Sequence, residues 1–349
     1  MATRWLPQCV TSERGNVKLG IASAGRIDCN NPTGTRGLIA VDKVGGKVRL
    51  YEPGTYREMA VIDVEKLPHE VAISPDHQTA YVTIYGTGIF GSNPNPAQTI
   101  AVIDLLRREQ VDQISVAPYF APHGIMVARD GRLWVSCDAS AKLIVVNPHT
   151  RAVEEAFDTG SFGSHWIALT PDGSKVYISN KTDSVGVFDV AARALATTIT
   201  LPNDKQGTEG VVAAPDGSRV LVVDNFDARV HVIDPATDAI VDSIALAGNP
   251  PTNPKRSRNV RVRYSLDGRY VLTSNYASGV IYIHEADDLR RQTPLIVAKG
   301  PMGFAFAPDG NTAMVANHDS GIVTIINLPE RRITGYFDGG SGIETLAFY

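Results

Sequence analysis

The feature that most constrains this chain is a repeat. The stretch from His165 to Val190, HWIALTPDGSKVYISNKTDSVGVFDV, sets out its unit. An apolar run (Trp166 to Leu169) meets the turn Pro171-Asp172-Gly173. A second run (Val176 to Ser179) ends at Asn180-Lys181-Thr182-Asp183, and a third (Val185 to Val190) follows. Three strands and two tight turns fill the unit, with no room for a helix.

The unit recurs as PHEVAISPDHQTAYVTI from Pro68, PHGIMVARDGRLWVSC from Pro122, TEGVVAAPDGSRVLVVD from Thr208, NVRVRYSLDGRYVLTSN from Asn259 and PMGFAFAPDGNTAMVAN from Pro301. The C-terminal GIETLAFY is a first strand that stops before its turn. Read from His69 through 123, 165, 209, 260 and 302 to Glu344, the separations are 54, 42, 44, 51, 42 and 42 residues. A period in the forties with four strands per unit predicts an all-β, seven-bladed β-propeller. Residues 37–64 supply three strands with no preceding first strand, so the C-terminal strand is expected to complete that blade and close the ring. The expected organisation is an irregular lead-in over 1–36 and one propeller domain over 37–349. Blade 2 carries an insertion, Tyr85 to Gln98, expected to act as a packed lid. The loop Gly248–Arg258 enters blade 6, where a one-residue shift would put Asn259 rather than Val260 toward the channel.

Composition narrows the partners. A net charge of −4 gives no reason to expect nucleic acid or an anionic membrane. No apolar run reaches membrane-spanning length, and the N-terminal MATRWLPQCV lacks the apolar core of a signal peptide. The expectation is a soluble, cytoplasmic protein, or a periplasmic one if a leader was removed, with the oligomeric state open and a monomer included. Cys9, Cys29 and Cys137 lack CxxC spacing and read as reduced, with a Cys9–Cys29 bridge left open for an exported form.

Several second strands end in Asn or Asp: YISN at Asn180, LVVD at Asp224, LTSN at Asn275, MVAN at Asn317. With YVTI at Tyr81 to Ile84 and the preceding PDG turns, the chain resembles the YVTN-repeat β-propeller family. The resemblance implies the fold. It implies no single activity, because the family and its relatives include lactonases, lyases, redox-enzyme subunits and binding modules. The Asx residues themselves read as turn caps and the PDG turns as ordinary turn chemistry.

One repeat position stands apart, eight residues before each turn glycine, where the chain starts a blade's innermost strand. From blade 1 onward it holds Glu344, His69, His123, His165, Glu209, Val260 and Met302. Rotation about the propeller axis relates these positions, so a ring of Glu, His, His, His and Glu is expected at one channel mouth. Neutral imidazoles with flanking carboxylates suit a divalent transition metal (Zn, Mn, Fe or Cu) or an acid/base cluster; the other reading is a polar channel plug. On the metal reading His69, His123 and His165 are the ligands, and Glu344 or Glu209 completes the shell or acts as base. Arg258, Arg261 and Lys181 are expected to hold an anionic substrate group, Trp166, Phe162, Tyr119 and Phe120 to wall the site, and His318 to reach substrate from the rim.

The ring also loosely resembles the metal sites of propeller enzymes such as streptogramin lyase-like proteins, amidating lyases and gluconolactonase-type lactonases, without matching any ligand set. The resulting expectation is a metal-dependent enzyme that hydrolyses, eliminates or isomerises a small oxygenated molecule. The alternatives are a non-enzymatic propeller binding a protein or glycan, and a copper or iron redox enzyme using the same ring.

Overall fold

The computed structural model describes residues 35–182, 184–202, 207–247 and 259–349. Arg258, the 248–258 loop, Cys9, Cys29 and nearly all of the 1–36 lead-in lie outside the described residues. Seven four-stranded antiparallel sheets form the expected propeller. Its innermost strands are Pro68–Ile73, Pro122–Val127, Ser164–Leu169, Thr208–Ala213, Asn259–Tyr264, Pro301–Phe306 and Ile343–Phe348, for blades 2 to 7 and then 1.

The burial gradient follows from radial position. An inner or second strand is enclosed on both faces, and Leu133–Cys137 and Val220–Asp224 are buried at every residue. An outermost strand such as Ala152–Asp158 alternates exposed and half-buried residues, because one edge meets solvent. The apolar core is divided into seven clusters, one in each gap between neighbouring blades. Each fully buried Leu, Ile or Val there contributes roughly 1.5–3 kcal/mol.

Side chains close the turns. In the Pro171-Asp172-Gly173 turn, Asp172 Oδ1 accepts from the Ser174 N–H at 3.0 Å and from Thr170 Oγ1 at 2.6 Å, while Gly173 takes φ +76°. Asp224 Oδ1 accepts from the N–H groups of Phe226 and Asp227, and Asn275 Oδ1 from that of Ser278, as Asx turn caps do. The register of blade 6 pairs Asn259 with Asn275 as Ser164 pairs with Asn180. Val260 therefore takes the ring position, buried in the cluster that also contains Trp166. In blade 2 the second and third strands, Thr79–Gly86 and Pro96–Asp104, run further than the repeat suggested. The insertion is thus a hairpin extension tipped by an Ile89–Ser92 bridge.

Ring closure is by strand pairing. Leu38–Asp42 pairs antiparallel with Ile343–Phe348, and the backbones of Gly37 and Tyr349 extend the ladder. Asp42 secures the seam: its Oδ1 accepts from the N–H groups of Ser341 and Gly342 at 3.1 and 3.0 Å, and Arg49 Nε donates to its Oδ2. Deleting 342–349 removes this ladder and the buried Ile343 and Leu346 with it. The truncated chain is expected to lose its cooperative thermal transition; a native-like circular-dichroism melt would contradict this account of closure.

His284, buried in blade 6, donates from Nδ1 to the Leu289 carbonyl at 2.8 Å and accepts at Nε2 from Thr273 Oγ1 at 3.1 Å. Burial pushes its pKa down to about 4. Between that value and the unfolded value near 6.5, only the unfolded chain takes up the proton. The stabilisation is therefore complete above about pH 6.5 and falls as pH drops toward 4, by about 3 kcal/mol in total. Denaturant titrations of wild type and His284→Gln should show a shallower acid-side loss in the variant; parallel curves would exclude His284 as a source of it.

Candidate functional site

The site begins with a bulge repeated in every blade. Pairing of each innermost strand with its neighbour shifts register at its second and third residues, as between Pro68 and Val71, Ser164 and Ile167, or Thr208 and Val211. A bulge re-aims side chains, and here it brings two consecutive positions to the channel. The first of these is the sequence-derived ring. His69, His123 and His165 stand side by side, with centroids 3.8 Å apart for the first pair and 3.4 Å for the second. The carboxylates flank them: Glu344 Oε1 lies 3.5 Å from His69 Nε2 and Glu209 Oε2 3.7 Å from His165 Nε2. All five side chains are buried.

A second ring, of which the sequence reading named only Lys181 and His318, lies against the first. It is formed by the residue that follows the second-strand partner of each innermost strand's first residue: Lys43, Tyr85, Asp138, Lys181, Asn225, Tyr276 and His318 for blades 1 to 7. Lys43 Nζ lies 2.8 Å from His69 Nε2 and 3.3 Å from Glu344. Lys181 donates to Glu209 Oε1, and Asn225 Nδ2 donates to the same oxygen at 3.2 Å. Asp138 Oδ2 lies 3.3 Å from His165 Nδ1 and accepts from the Tyr85 hydroxyl at 2.9 Å, and His318 Nδ1 is 3.4 Å from Glu344. Its signal in the sequence was positional: the residue is polar or aromatic in all seven blades, and in five of them it follows a strand-ending Asx, at Asp42, Asn180, Asp224, Asn275 and Asn317.

The cluster therefore has a Lys–Glu–His arm on each side of His123. Burial holds the three imidazoles neutral. It depresses His123 and His165 well below the usual range, helped by the neighbouring imidazoles and lysines, and lowers His69 with Lys43 as the next cause. Burial alone would raise Glu344, yet Lys43, His69 and His318 outweigh it and hold the carboxyl at about 2. Asp138, mainly desolvated, rises to about 6.

The next channel-facing layer alternates large and small: Glu70, Gly124, Trp166, Gly210, Arg261, Gly303 and Thr345. A Cβ on Gly210 would lie 2.8 Å from Arg261 Cα, so the glycines make room for their neighbours. Into that room fits a crossbar. Arg261 Nη2 donates to Glu70 Oε1 at 2.5 Å and to Thr345 Oγ1 at 3.4 Å. Trp166 Nε1 donates to the same Glu70 oxygen at 3.0 Å, and the Arg261 guanidinium lies 4.5 Å from the Trp166 ring centroid. The expectation of Arg261 as a rim cation is corrected here: it is 3% exposed and its charge is spent on Glu70.

Of the other expected residues, Trp166 lies against His165 and His123, at centroid distances of 4.7 and 5.4 Å. Lys181 and His318 keep part of their surface exposed beside the ring. Phe120 and Phe162 are exposed, while Tyr119 packs on the cluster between blades 2 and 3. The insertion reaches blade 4, where the Phe90 ring occupies the space a side chain on Gly163 would need, beside Lys181. It thus passes over blade 3, where His123 sits.

The donor set suits a divalent transition metal, and His69 Nδ1 and both nitrogens of His123 are buried without a hydrogen-bond partner. Among the described residues, however, no three His, Cys, Asp or Glu side chains converge as a metal shell. The imidazoles pack against one another at tilts of 50° for His69–His123 and 32° for His123–His165.

Residues 147–332, more than half of the chain, match the family described as lactonase, 7-bladed beta-propeller. No curated protein matches the sequence. Among solved structures the chain is similar to the Pseudomonas aeruginosa periplasmic gluconolactonase PpgL, with TM-score 0.73 and 17% identity over 89% of this chain and 98% of that one. It is also similar to Kuenenia stuttgartiensis hydrazine synthase, with TM-score 0.71 and 17% identity over 88% and 99% of the two chains. At such identity the likeness concerns the fold alone. Among the described residues no helix is long and apolar enough to cross a membrane.

The crossbar generates a test. Removing one partner of a buried ion pair strands the other charge, so Arg261→Met or Glu70→Leu alone should cost about 3–5 kcal/mol, while the double variant should recover much of that loss. Chemical denaturation of the four proteins checks it; additive single losses would show that the two charges do not depend on each other.

Proposed function

The chain belongs to the lactonase family of seven-bladed β-propellers, and from that premise we propose that it is an enzyme that hydrolyses a small cyclic ester at the histidine-rich mouth. The observation that carries this reading is the cluster itself: three buried imidazoles held neutral, with a carboxylate and an ammonium on either side. A neutral imidazole accepts a proton from water, and its neighbouring carboxylate stabilises the imidazolium that results. His165 with Glu209, and His69 with Glu344, are the two pairs built for that step.

Lys43 and Lys181 face the mouth and supply positive charge for the oxyanion that develops as water oxygen adds to the ester carbonyl. The ring C–O bond then breaks, and the imidazolium returns its proton to the leaving alkoxide. His318, partly exposed beside Glu344, is placed to contact the substrate, with Trp166 and Phe162 as apolar wall. The Phe90 hairpin is the element that would exclude water from above.

The fuller form of the proposal includes a divalent transition metal, Zn, Mn, Fe or Cu. His69, His123 and His165 would hold it and Glu344 or Glu209 would complete the shell, a reading supported by the unpartnered imidazole nitrogens. Binding it would require the closely packed rings to reorient, since no three of these side chains converge as a metal shell among the described residues. When bound, such an ion would polarise the carbonyl and lower the pKa of water.

Hydrolysis of a panel of γ- and δ-lactones, gluconolactone included, tests the reading. His123→Ala and the Lys43→Met, Lys181→Met pair should each lose roughly 10²-fold or more in kcat/KM. Elemental analysis and chelation decide the metal. At a hundred times its dissociation constant an ion adds about 2.7 kcal/mol, so chelation should lower the Tm of wild type and leave that of His123→Ala unchanged. Fewer than about 0.1 ions per chain with activity intact would remove the metal and keep the acid/base cluster. No turnover of any lactone, with or without added metal, would favour a non-catalytic binding propeller.

A further inference from the structure

The channel has a second mouth, on the side of the PDG turns and beyond the crossbar, and a cavity of about 600 Å³ opens there. Its walls come from the inner strands of blades 6, 7, 1 and 2. They include Val71, Phe304, Phe306, Leu346 and Tyr349, with the half-buried Arg263 guanidinium among them and the exposed Arg36 at the rim.

Arg263 sits two residues beyond Arg261 on the same strand and so faces the channel one layer further along. Its counterparts at that repeat position are Ala72, Met126, Ala168, Val212, Ala305 and Ala347. It is the charged residue in an otherwise apolar layer. It makes no hydrogen bond or ion pair with the described residues, and the nearby carboxylate of Glu70 is already engaged by Arg261 and Trp166. Desolvation and the neighbouring Arg261 pull its pKa down to about 10. The other charged groups of the cavity are at its rim. Arg36 and His77 are exposed, and the Asp76 carboxylate is turned to its own loop, accepting from Ser74 Oγ at 2.5 Å and from the Gln78 N–H at 3.1 Å.

We propose that this cavity binds a small amphipathic monocarboxylate, its carboxylate on Arg263 and its aliphatic or aromatic body against the apolar wall. A guanidinium offers a carboxylate two parallel N–H donors, and a partly desolvated one gains most from being paired. The half-buried Arg263 cation balances a single negative charge; a phosphate dianion would be left with uncompensated charge against phenylalanine and leucine. The Glu70–Arg261 crossbar separates this site from the histidine ring, so its occupancy is independent of the proposed hydrolysis.

Calorimetry on the full chain with hexanoate and benzoate, against hexanamide, benzamide and inorganic phosphate, tests the site. The carboxylates are expected to bind with Kd of about 0.1–1 mM, at least tenfold tighter than the amides or phosphate. Arg263→Met should lose that preference while its unliganded Tm stays equal to or above wild type, because an uncompensated charge has been removed. Ala347→Leu, which narrows the cavity and keeps the arginine, should weaken binding even if the first variant folds poorly. Carboxylate binding should survive His123→Ala, which separates this result from the fate of the lactonase reading. Equal binding of carboxylates and amides, preference for phosphate, no heat up to about 10 mM ligand, or unchanged binding by Arg263→Met would each overturn the proposal.

Discussion

Closure of the ring is the constraint from which the rest follows. Seven sheets can share a channel only if the strand Ile343–Phe348 pairs with Leu38–Asp42, and this pairing brings Glu344, at one end of the sequence, beside His69, near the other. The same seam delivers Lys43 to both. One arm of the candidate site is therefore made by the interaction that also removes the free sheet edges, so the stability of the propeller and the geometry of its mouth have a common origin.

Within the closed ring, electrostatics divides the channel into layers. The mouth holds a cluster whose charges nearly balance: two lysines against two glutamates, with imidazoles kept neutral between them. Below it the Glu70–Arg261 pair, held also by Trp166, spans the channel. Beyond that pair the balance fails at Arg263. Satisfied charges buried in pairs are compatible with a purely structural role, whereas Arg263 makes no ion pair among the described residues. This contrast is why the two ends of one channel call for different chemistry.

The repeated bulge explains how one strand serves two layers. A regular strand would send consecutive side chains to opposite faces, and His69 and Glu70 could not both meet the channel. The register shift at this point lets the first join the imidazole ring and the second the crossbar, in every blade. Blade identity then decides what each layer contains, and the alternating glycines of the crossbar layer decide which blades contribute a long side chain.

The sequence by itself determined the blade count, the closing strand and the membership of the imidazole ring, because each follows from a period and a turn signal carried within one repeat, and rotation converts equal repeat positions into neighbours. It also contained most of the second ring, legible in five blades as the residue after a strand-ending Asx, although only its contacts with His69, His165 and the two glutamates gave that position meaning. Tertiary structure alone decided what crosses the channel. Arg261 and Glu70 are separated by 191 residues and come from non-adjacent blades. Nothing in either repeat specifies the width of the channel or the length of the side chain that spans it, so an arginine expected at the rim became a buried strut. The tilt of the imidazoles was undetermined for the same reason: spacing fixes which backbone positions meet, whereas ring orientation is set by packing against residues from several blades at once.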